Sequence, residues 1–148
     1  MEKDHAMKHC RLPLAVMLLL LTCGHAQARE NQAAAVRELV RSEQSWDGAP
    51  LPAYPAGQPE ITILDITIPP GAKLPVHQHP VINAGVLIKG VLTVVTREGK
   101  TLQLRAGDPI VEVVGTWHYG INEGTTPAEI IVFYAGKTGS PLSIKEAD

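Results

Sequence analysis

The sequence predicts an all-β protein that folds as a single sandwich or barrel behind a removable N-terminal segment. After Glu60, short runs rich in β-branched residues recur at near-regular spacing, and glycine-rich connections divide them. No helical pattern lies between these runs, so six to eight strands are expected. The length of 148 residues fits one domain.

Residues 1–28 are expected to be a signal peptide. Lys8 and Arg11 precede an apolar run from Leu12 to Leu21, and residues 26–28 (Ala-Gln-Ala) match a cleavage site near Ala28. The apolar run is too short to span a bilayer comfortably. We therefore expect a periplasmic or secreted protein with no membrane contact after cleavage.

Two alternatives for this segment stay open. Cys23 could be the lipid-attachment residue of a lipoprotein, although Thr22 before it is a poor fit to the small residue that such sites need. Met7 could be the true start, because Glu2 and Asp4 are acidic in a region that is normally basic.

Composition after residue 28 excludes several function classes. Both cysteines, Cys10 and Cys23, lie in the predicted signal peptide, so disulfides, thiolate metal ligands and cysteine nucleophiles are excluded from the mature chain. Residues 29–148 hold 10 Lys and Arg against 13 Asp and Glu, with no basic block. Nucleic acid is therefore not an expected partner.

Residues 29–59 are predicted to form a short helix and an extended arm. The helix is expected over Asn31–Ser42, where apolar residues fall at helical spacing among charged neighbours. The arm contains four prolines, which exclude a helix and a central strand. Its Trp46 and Tyr54 are expected to pack on the domain or on a neighbouring subunit.

The barrel is predicted to occupy residues 60–148. Its first strand is EITILDITI, which stops at PPG, and NAGVLIKG follows the first histidines. In VLTVVTREGKTLQL, Glu98 and Gly99 form a hairpin turn between two apolar runs. The remaining strands are predicted in PIVEVV, TWHYGI and AEIIVFY.

Three histidines carry the candidate chemistry. His77 and His79 are two residues apart in an extended segment, so both imidazoles project from one face and could share one ion. His118 begins another predicted strand, and these three are the only histidines after residue 28. The pattern favours a three-histidine metal site over scattered surface histidines.

The spacing of these residues resembles the two motifs of the cupin family. The first motif is matched by Gly71, His77, His79, Asn83 and Gly90, and the second by Gly107, Val113, Gly115, His118 and Asn122. Val113 stands where proline is usual, and Asn83 stands where glutamate is usual. The resemblance implies a single jelly-roll β-barrel whose inward histidines bind a divalent metal, and it makes a homodimer through the arm or a sheet edge plausible.

Asn83 leaves three interpretations open. It could orient water or substrate beside a three-histidine centre, it could ligate weakly through its amide oxygen, or the site could have lost its metal. Three neutral imidazoles leave the ion's charge uncompensated, so an anionic oxygen ligand is expected at the open position. The ion could be Zn, Cu, Fe, Mn or Ni; export in an unfolded state favours zinc or copper.

Strand alternation predicts the lining of the site. Gly85 and Leu87 are expected to continue the face of Asn83, and Thr116 and Gly120 to flank His118. In an unbroken strand the side chains expected to point away are Gln78, Glu112, Trp117 and Tyr119, although a bulge at Gly115 could change this. Glu112 is the one carboxylate that could still act as a general base or fourth ligand.

Two functions follow from the sequence, with a structural barrel as the third alternative. The first is a small metal-dependent enzyme, dioxygenase- or isomerase-like, acting on a small oxygenated or anionic molecule. The second is a binding module of the same fold that captures a small ligand or a metal without turnover. The catalytic residues are not specified by the sequence, because a fold resemblance does not fix chemistry.

Overall fold

The computed structural model describes residues 34–147, and in this part of the chain nine β-strands form two sheets. The strands are β1 (Pro59–Ile68), β2 (His77–Gln78), β3 (Ile82–Lys89), β4 (Val91–Thr96), β5 (Thr101–Arg105), β6 (Pro109–Val111), β7 (His118–Ile121), β8 (Ala128–Lys137) and β9 (Ile144–Lys145). The predicted signal peptide and Cys23 lie outside the described residues.

The strand order places sequence-distant strands side by side. One sheet has the order β1-β8-β3-β6, the other has the order β5-β4-β7-β2-β9, and the pairs between these strands are antiparallel. The predicted all-β jelly-roll architecture is confirmed. Its first and last long strands pair in full, from Pro59 opposite Lys137 to Ile68 opposite Ala128.

Both sheets turn apolar side chains towards a common core. The buried cluster includes Ile68 and Leu87 from the four-stranded sheet and Val94 and Leu104 from the five-stranded sheet. In β3 and β8 the buried residues alternate with more exposed ones, as expected for strands with one face packed on a core. Burial of this apolar face is the main favourable contribution to folding.

The crossing between the sheets depends on Gly90, which lies between β3 and β4. Its φ is +76°, in the left-handed region that favours glycine. A Cβ at this position would lie 2.6 Å from the carbonyl oxygen of Pro127, so the backbone approaches too closely for any side chain. The glycine therefore has a steric role as well as a conformational one.

The helix predicted over residues 31–42 is wrong for the described residues 34–42, which form no helix. The apolar side chains that should have packed remain accessible, and Val36 is 93% exposed. A helix of this length is marginal in water unless an apolar face packs against the domain.

The proline arm has a local structure of its own. Gln44 and Pro50 form an isolated bridge, and the backbone N–H of Trp46 donates to the carbonyl of Val111 at 2.9 Å. The Trp46 side chain packs against the core, as predicted. Tyr54 does not pack on the domain, since its side chain is 75% exposed, and its packing on a neighbouring subunit stays a prediction.

Candidate metal centre

The three histidines meet on the five-stranded sheet. His77 in β2 is the direct cross-strand partner of His118 in β7, and His79 follows two residues after His77. His79 forms a parallel bridge with Val114, which fixes the chain after β2 against the segment that leads into β7. Strand alternation and strand pairing together therefore bring three imidazoles to one place.

The imidazole rings are close enough to serve one ion. Their centroids lie 4.9 Å apart for His77 and His79, 4.4 Å for His77 and His118, and 5.0 Å for His79 and His118. The candidate ligand atoms of all three lie within 4.8 Å of one another. His79 and His118 are buried, and His77 is partly buried.

Hydrogen bonds fix the tautomer of each ring. The Nδ1 atoms of His77, His79 and His118 lie 2.9, 2.8 and 2.9 Å from the backbone carbonyls of Pro75, Leu142 and Thr116. A carbonyl oxygen only accepts hydrogen bonds, so each Nδ1 carries the proton and donates it. Each neutral ring therefore keeps an Nε2 lone pair for a metal ion, which is the usual arrangement of metal-binding histidines.

Burial keeps two of the rings neutral. Desolvation lowers the pKa of His79 to about 4, with further lowering by the neighbouring His118 and His77, against the opposing bond to Leu142. Desolvation also lowers the pKa of His118. Neutral imidazole is the form that binds metals, so these rings are in the ligating form at neutral pH.

Asn83 lies at the site with an unpartnered oxygen. Its side chain is 1% exposed, and its Nδ2 donates a long bond of 3.4 Å to the carbonyl of Val81. Its Oδ1 is buried without a hydrogen-bond partner. The amide oxygen is therefore free either to orient water or substrate or to ligate weakly, as the sequence left open.

Glu112 corrects the predicted lining. The prediction that it points away is wrong, because its side chain is buried in the cavity and its Oε2 lies 3.9 Å from the Nε2 of His118. β6 ends at Val111 and belongs to the other sheet, so no continuous strand connects Glu112 with His118. Strand alternation therefore does not fix the direction of Glu112 relative to that of His118.

The carboxyl group of Glu112 is an unusual ionisable group. Burial raises its pKa to about 7, although the Val113 backbone and the Trp46 indole act in the opposite direction. Its Oε2 and the Nε1 of Trp46 are both buried without a partner of hydrogen-bond geometry. A buried carboxylate oxygen without a partner is costly, so it favours a proton or a cation nearby.

Tyr134 is a site residue that the sequence analysis missed. It is the cross-strand partner of Asn83 in β8, and its ring lies 5.6 Å from that of His79, centroid to centroid. Burial and the charge of Glu112 raise its pKa to about 12, so it is a hydroxyl donor at neutral pH. β8 is apolar on both faces, and this gave no signal that its Tyr134 faces the histidines.

The other alternation predictions divide into two groups. Gly120 lines the cavity, whereas Leu87 is buried in the core and Gly85 and Thr116 do not line the cavity. Two side chains expected to point away make cation–π contacts elsewhere: Tyr119 with Lys73 and Trp117 with Arg97.

These groups line a small cavity with a wider mouth. The cavity has a volume of about 60 Å³, and apolar residues such as Ile66, Val94 and Val132 form much of its wall. His77, His79 and Tyr134 also line the adjoining mouth of about 200 Å³. Among the described residues lining this mouth, Lys145 is the one lysine or arginine.

The residues present fit a divalent metal ion. One ligand nitrogen from each of the three rings lies within 4.8 Å of the others, and two buried oxygen atoms in the same cavity, Asn83 Oδ1 and Glu112 Oε2, lack partners. An ion would satisfy such atoms, and imidazole nitrogen with oxygen donors suits the first-row transition metals. The assignment of His77, His79 and His118 as ligands remains a prediction with this support.

Comparison with known proteins relates part of the barrel to one protein family. The model of the cupin domain family matches residues 64–134, a segment that contains both histidine motifs. No curated protein matches the sequence.

Among the described residues, no helix has the length and apolar character to cross a membrane.

Solved structures resemble the barrel over part of the chain. An oxalate oxidase in complex with the substrate analogue glycolate is 27% identical, with a TM-score of 0.46 over 51% of this chain and 42% of that one. The oxalate decarboxylase of Lactobacillus farciminis, in a formate complex, is 24% identical, with a TM-score of 0.50 over 57% and 26% of the two chains. The polyketide cyclase RemF from Streptomyces resistomycificus is 15% identical, with a TM-score of 0.51 over 63% and 64%. At these identities the decarboxylase and the cyclase show a common fold.

Proposed function

Because residues 64–134 form a cupin domain, we propose that the protein is a metal-dependent enzyme acting on a small oxygenated or anionic molecule. His77, His79 and His118 hold one divalent transition metal ion. The observation that carries this proposal is that the candidate ligand nitrogens of the three rings lie within 4.8 Å of one another, while the Nδ1 of each ring donates to a backbone carbonyl.

The chain supplies binding groups and proton-handling groups around this ion. A bound ion would supply Lewis-acid polarisation of a substrate oxygen. The Asn83 amide orients the substrate or a water molecule, and the Glu112 carboxyl and the Tyr134 hydroxyl are the two protic groups in the cavity. Lys145 at the mouth favours entry of an anion.

The reaction class is the finer part of the proposal. A dioxygenase- or isomerase-like reaction fits the lining, because apolar walls exclude water while few acid–base groups are present. The oxalate decarboxylase among the similar structures acts on oxalate, a small oxygenated molecule, as its name states. The small cavity similarly limits the substrate to a few non-hydrogen atoms.

A non-catalytic binding module is the second candidate. The same small cavity volume and apolar wall favour it, since capture of a small ligand needs no acid–base residues beyond those that orient the ligand. Export through the predicted signal peptide is part of both proposals. An ion acquired outside the cytoplasm would follow intrinsic affinity, which favours zinc or copper at three imidazoles.

Metal analysis of the protein purified from its native compartment tests the first step. We expect about one transition-metal ion per chain, and loss of that ion in the double variant His77→Ala/His118→Ala. A native protein without stoichiometric metal, which also fails to bind added Zn²⁺ or Cu²⁺, would contradict both proposals.

Turnover separates the two candidates. The metal-loaded protein is incubated with small keto acids, diketones, thiols and phenols while oxygen uptake and product formation are followed. Consumption of one substrate, absent in the double histidine variant, supports an enzyme. Thermal stabilisation by one compound without its consumption supports a binding module.

A homodimer is a further part of the proposal, supported by an exposed apolar surface where the arm meets the four-stranded sheet. Tyr54, Ile61 and Phe133 line this surface, and Ile63 is exposed beside it. Apolar residues clustered at a surface are typical of an interface. Sedimentation velocity tests it: we expect a dimer that Ile61→Asp dissociates, and a monomeric wild-type protein would contradict it.

A further inference from the structure

Glu112 and Asn83 occupy facing positions on neighbouring strands. The backbone N–H of Glu112 donates to the carbonyl of Asn83 at 3.0 Å, which extends the β3–β6 ladder one residue beyond Val111. Residues directly opposite in an antiparallel pair project from the same face, with Cβ atoms about 5 Å apart. A side chain at position 112 therefore reaches the volume that a side chain at position 83 reaches.

The carboxylate of Glu112 also lies close enough to His118 for both side chains to bind one ion. Its Oε2 is 3.9 Å from the Nε2 of His118, which is too far for a hydrogen bond. Metal–nitrogen and metal–oxygen bonds of about 2.1 Å allow two ligands of one ion to stand up to about 4.2 Å apart. This separation is thus compatible with a shared ion.

His118 Nε2 and Glu112 Oε2 both lack a hydrogen-bond donor, which also supports an ion shared between them. Because Nδ1 of His118 donates to Thr116, its Nε2 presents a lone pair, and Glu112 Oε2 is a buried acceptor without a donor. Two acceptors at this distance repel each other unless a proton or a cation lies between them. The other groups near the carboxylate, the Trp46 indole and the Val113 backbone, leave Oε2 unpartnered.

We propose that Glu112 supplies the carboxylate ligand of the metal site, from the strand opposite the position where the cupin pattern has glutamate. This inference rests on the proposed three-histidine centre. It changes the charge argument made for Asn83, because a bound carboxylate cancels half of the charge of a divalent ion. The site then favours a neutral or singly charged oxygen ligand over a dianion.

A set of exchanged carboxylates tests this assignment. Zn²⁺ affinity is measured by chelator competition, and Co²⁺ absorption reports the ligand set, for the wild type, Glu112→Gln and the double variant Asn83→Glu/Glu112→Gln. We expect Glu112→Gln to weaken Zn²⁺ binding at least about tenfold and to change the Co²⁺ spectrum. The double variant should recover most of the affinity, because its carboxylate enters from the facing position.

The matched control is Glu129→Gln, which removes a carboxylate that pairs with Lys89 on the surface. It should bind Zn²⁺ like the wild type. Unchanged Zn²⁺ affinity and Co²⁺ spectrum in a folded Glu112→Gln protein would overturn the assignment, and so would a folded double variant no tighter than Glu112→Gln.

Two further outcomes are distinguished by the same measurements. If Glu112→Gln does not fold, Glu112→Asp takes its place: a shorter carboxylate should weaken Zn²⁺ binding and shift the Co²⁺ spectrum, and no change would overturn the assignment. A wild-type protein that binds no Zn²⁺ or Co²⁺ overturns the three-histidine centre itself. If the wild type binds metal and the Glu112 variant binds it equally well, only the assignment of Glu112 as a ligand is overturned.

Discussion

The two sheets contribute opposite kinds of chemistry to the cavity. The five-stranded sheet carries His77 and His118, and all three imidazoles, including that of His79, are held by Nδ1 bonds to backbone carbonyls. The four-stranded sheet carries Asn83 on β3 and Tyr134 on β8, and Glu112 extends its edge strand. Two nitrogen donors thus stand on one sheet, His79 directly follows β2 of that sheet, and the oxygen groups stand on the other sheet.

The histidine side and the oxygen side of the cavity differ in how many of their polar atoms have hydrogen-bond partners. The histidine side is preorganised before any ion binds, because each ring has a fixed tautomer. On the oxygen side, Asn83 Oδ1 and Glu112 Oε2 are buried and unpartnered, so their energy depends on what occupies the cavity. In the proposed metal site, the histidines would therefore determine whether an ion binds, and the oxygen groups would determine the net charge of the site and the remaining ligands.

The largest expected effect is on stability, from a substitution at Gly90, where the chain crosses from one sheet to the other. We expect Gly90→Ala to lower the free energy of unfolding in urea by about 3 kcal/mol or more, from left-handed strain plus the clash with Pro127. Gly99→Ala is the matched control, since its φ is +86° but nothing lies within 4 Å of the added Cβ. It should cost only about 1–2 kcal/mol. Equal losses would show that the backbone contact at Gly90 does not matter.

The next effect compares a nitrogen donor with an oxygen group directly. His118→Ala should weaken Zn²⁺ binding by more than about 100-fold, since loss of a ligand exceeds the loss of a supporting group. Asn83→Ala should weaken it by about tenfold or less. Isothermal titration with chelator competition measures both. A larger loss for Asn83→Ala than for His118→Ala would reverse the division of roles between the sheets.

Most strands and the candidate histidine ligands could be predicted from the sequence, because the patterns that indicate them are local. Alternation and glycine spacing located β1, β3, β4, β5 and β8 within a few residues, and the two histidine motifs located the candidate ligands. The predicted helix is absent from the described residues 34–42, because its stability needed a packing partner that periodicity does not reveal.

The inward positions of Glu112 and Tyr134 could not be predicted, because they depend on the register between distant strands. Glu112 faces the cavity through its pairing with Asn83, and Tyr134 through its pairing with the same residue from the other side. A strand that is apolar on both faces does not show which face is inward. The break between β6 and β7 similarly removed the alternation that would have related Glu112 to His118.

The third effect is the pH dependence of metal-free stability. The pKa of His79 is lower in the folded protein than in the unfolded chain, so its contribution to the stability of the fold is lost as pH falls from about 6.5 to about 4. The lowered pKa of His118 acts in the same direction. The folded pKa of Glu112 is raised, so its contribution is lost as pH rises from about 4.5 to about 7. The two sides of the site therefore oppose each other between these limits.

Glu112→Gln removes one of these opposing contributions. We expect its unfolding free energy to rise between pH 5 and pH 8 by about 2 kcal/mol more than that of the wild type. Urea denaturation across this range in the presence of a chelator measures it, with Glu129→Gln as the surface control. Parallel pH profiles for Glu112→Gln and the wild type would show that the buried carboxyl does not titrate in this window.

The smallest effect concerns the one indole on the oxygen side of the site. Trp46 packs against the core and lowers the pKa of Glu112, yet its Nε1 is buried without a partner. Trp46→Phe keeps an aromatic ring and removes an unsatisfied donor, so it should cost about 1 kcal/mol or less. The pKa of Glu112, followed by NMR of its side-chain carboxyl carbon in metal-free protein, should rise above the wild-type value of about 7. An unchanged pKa would mean that the indole supports Glu112 by packing alone.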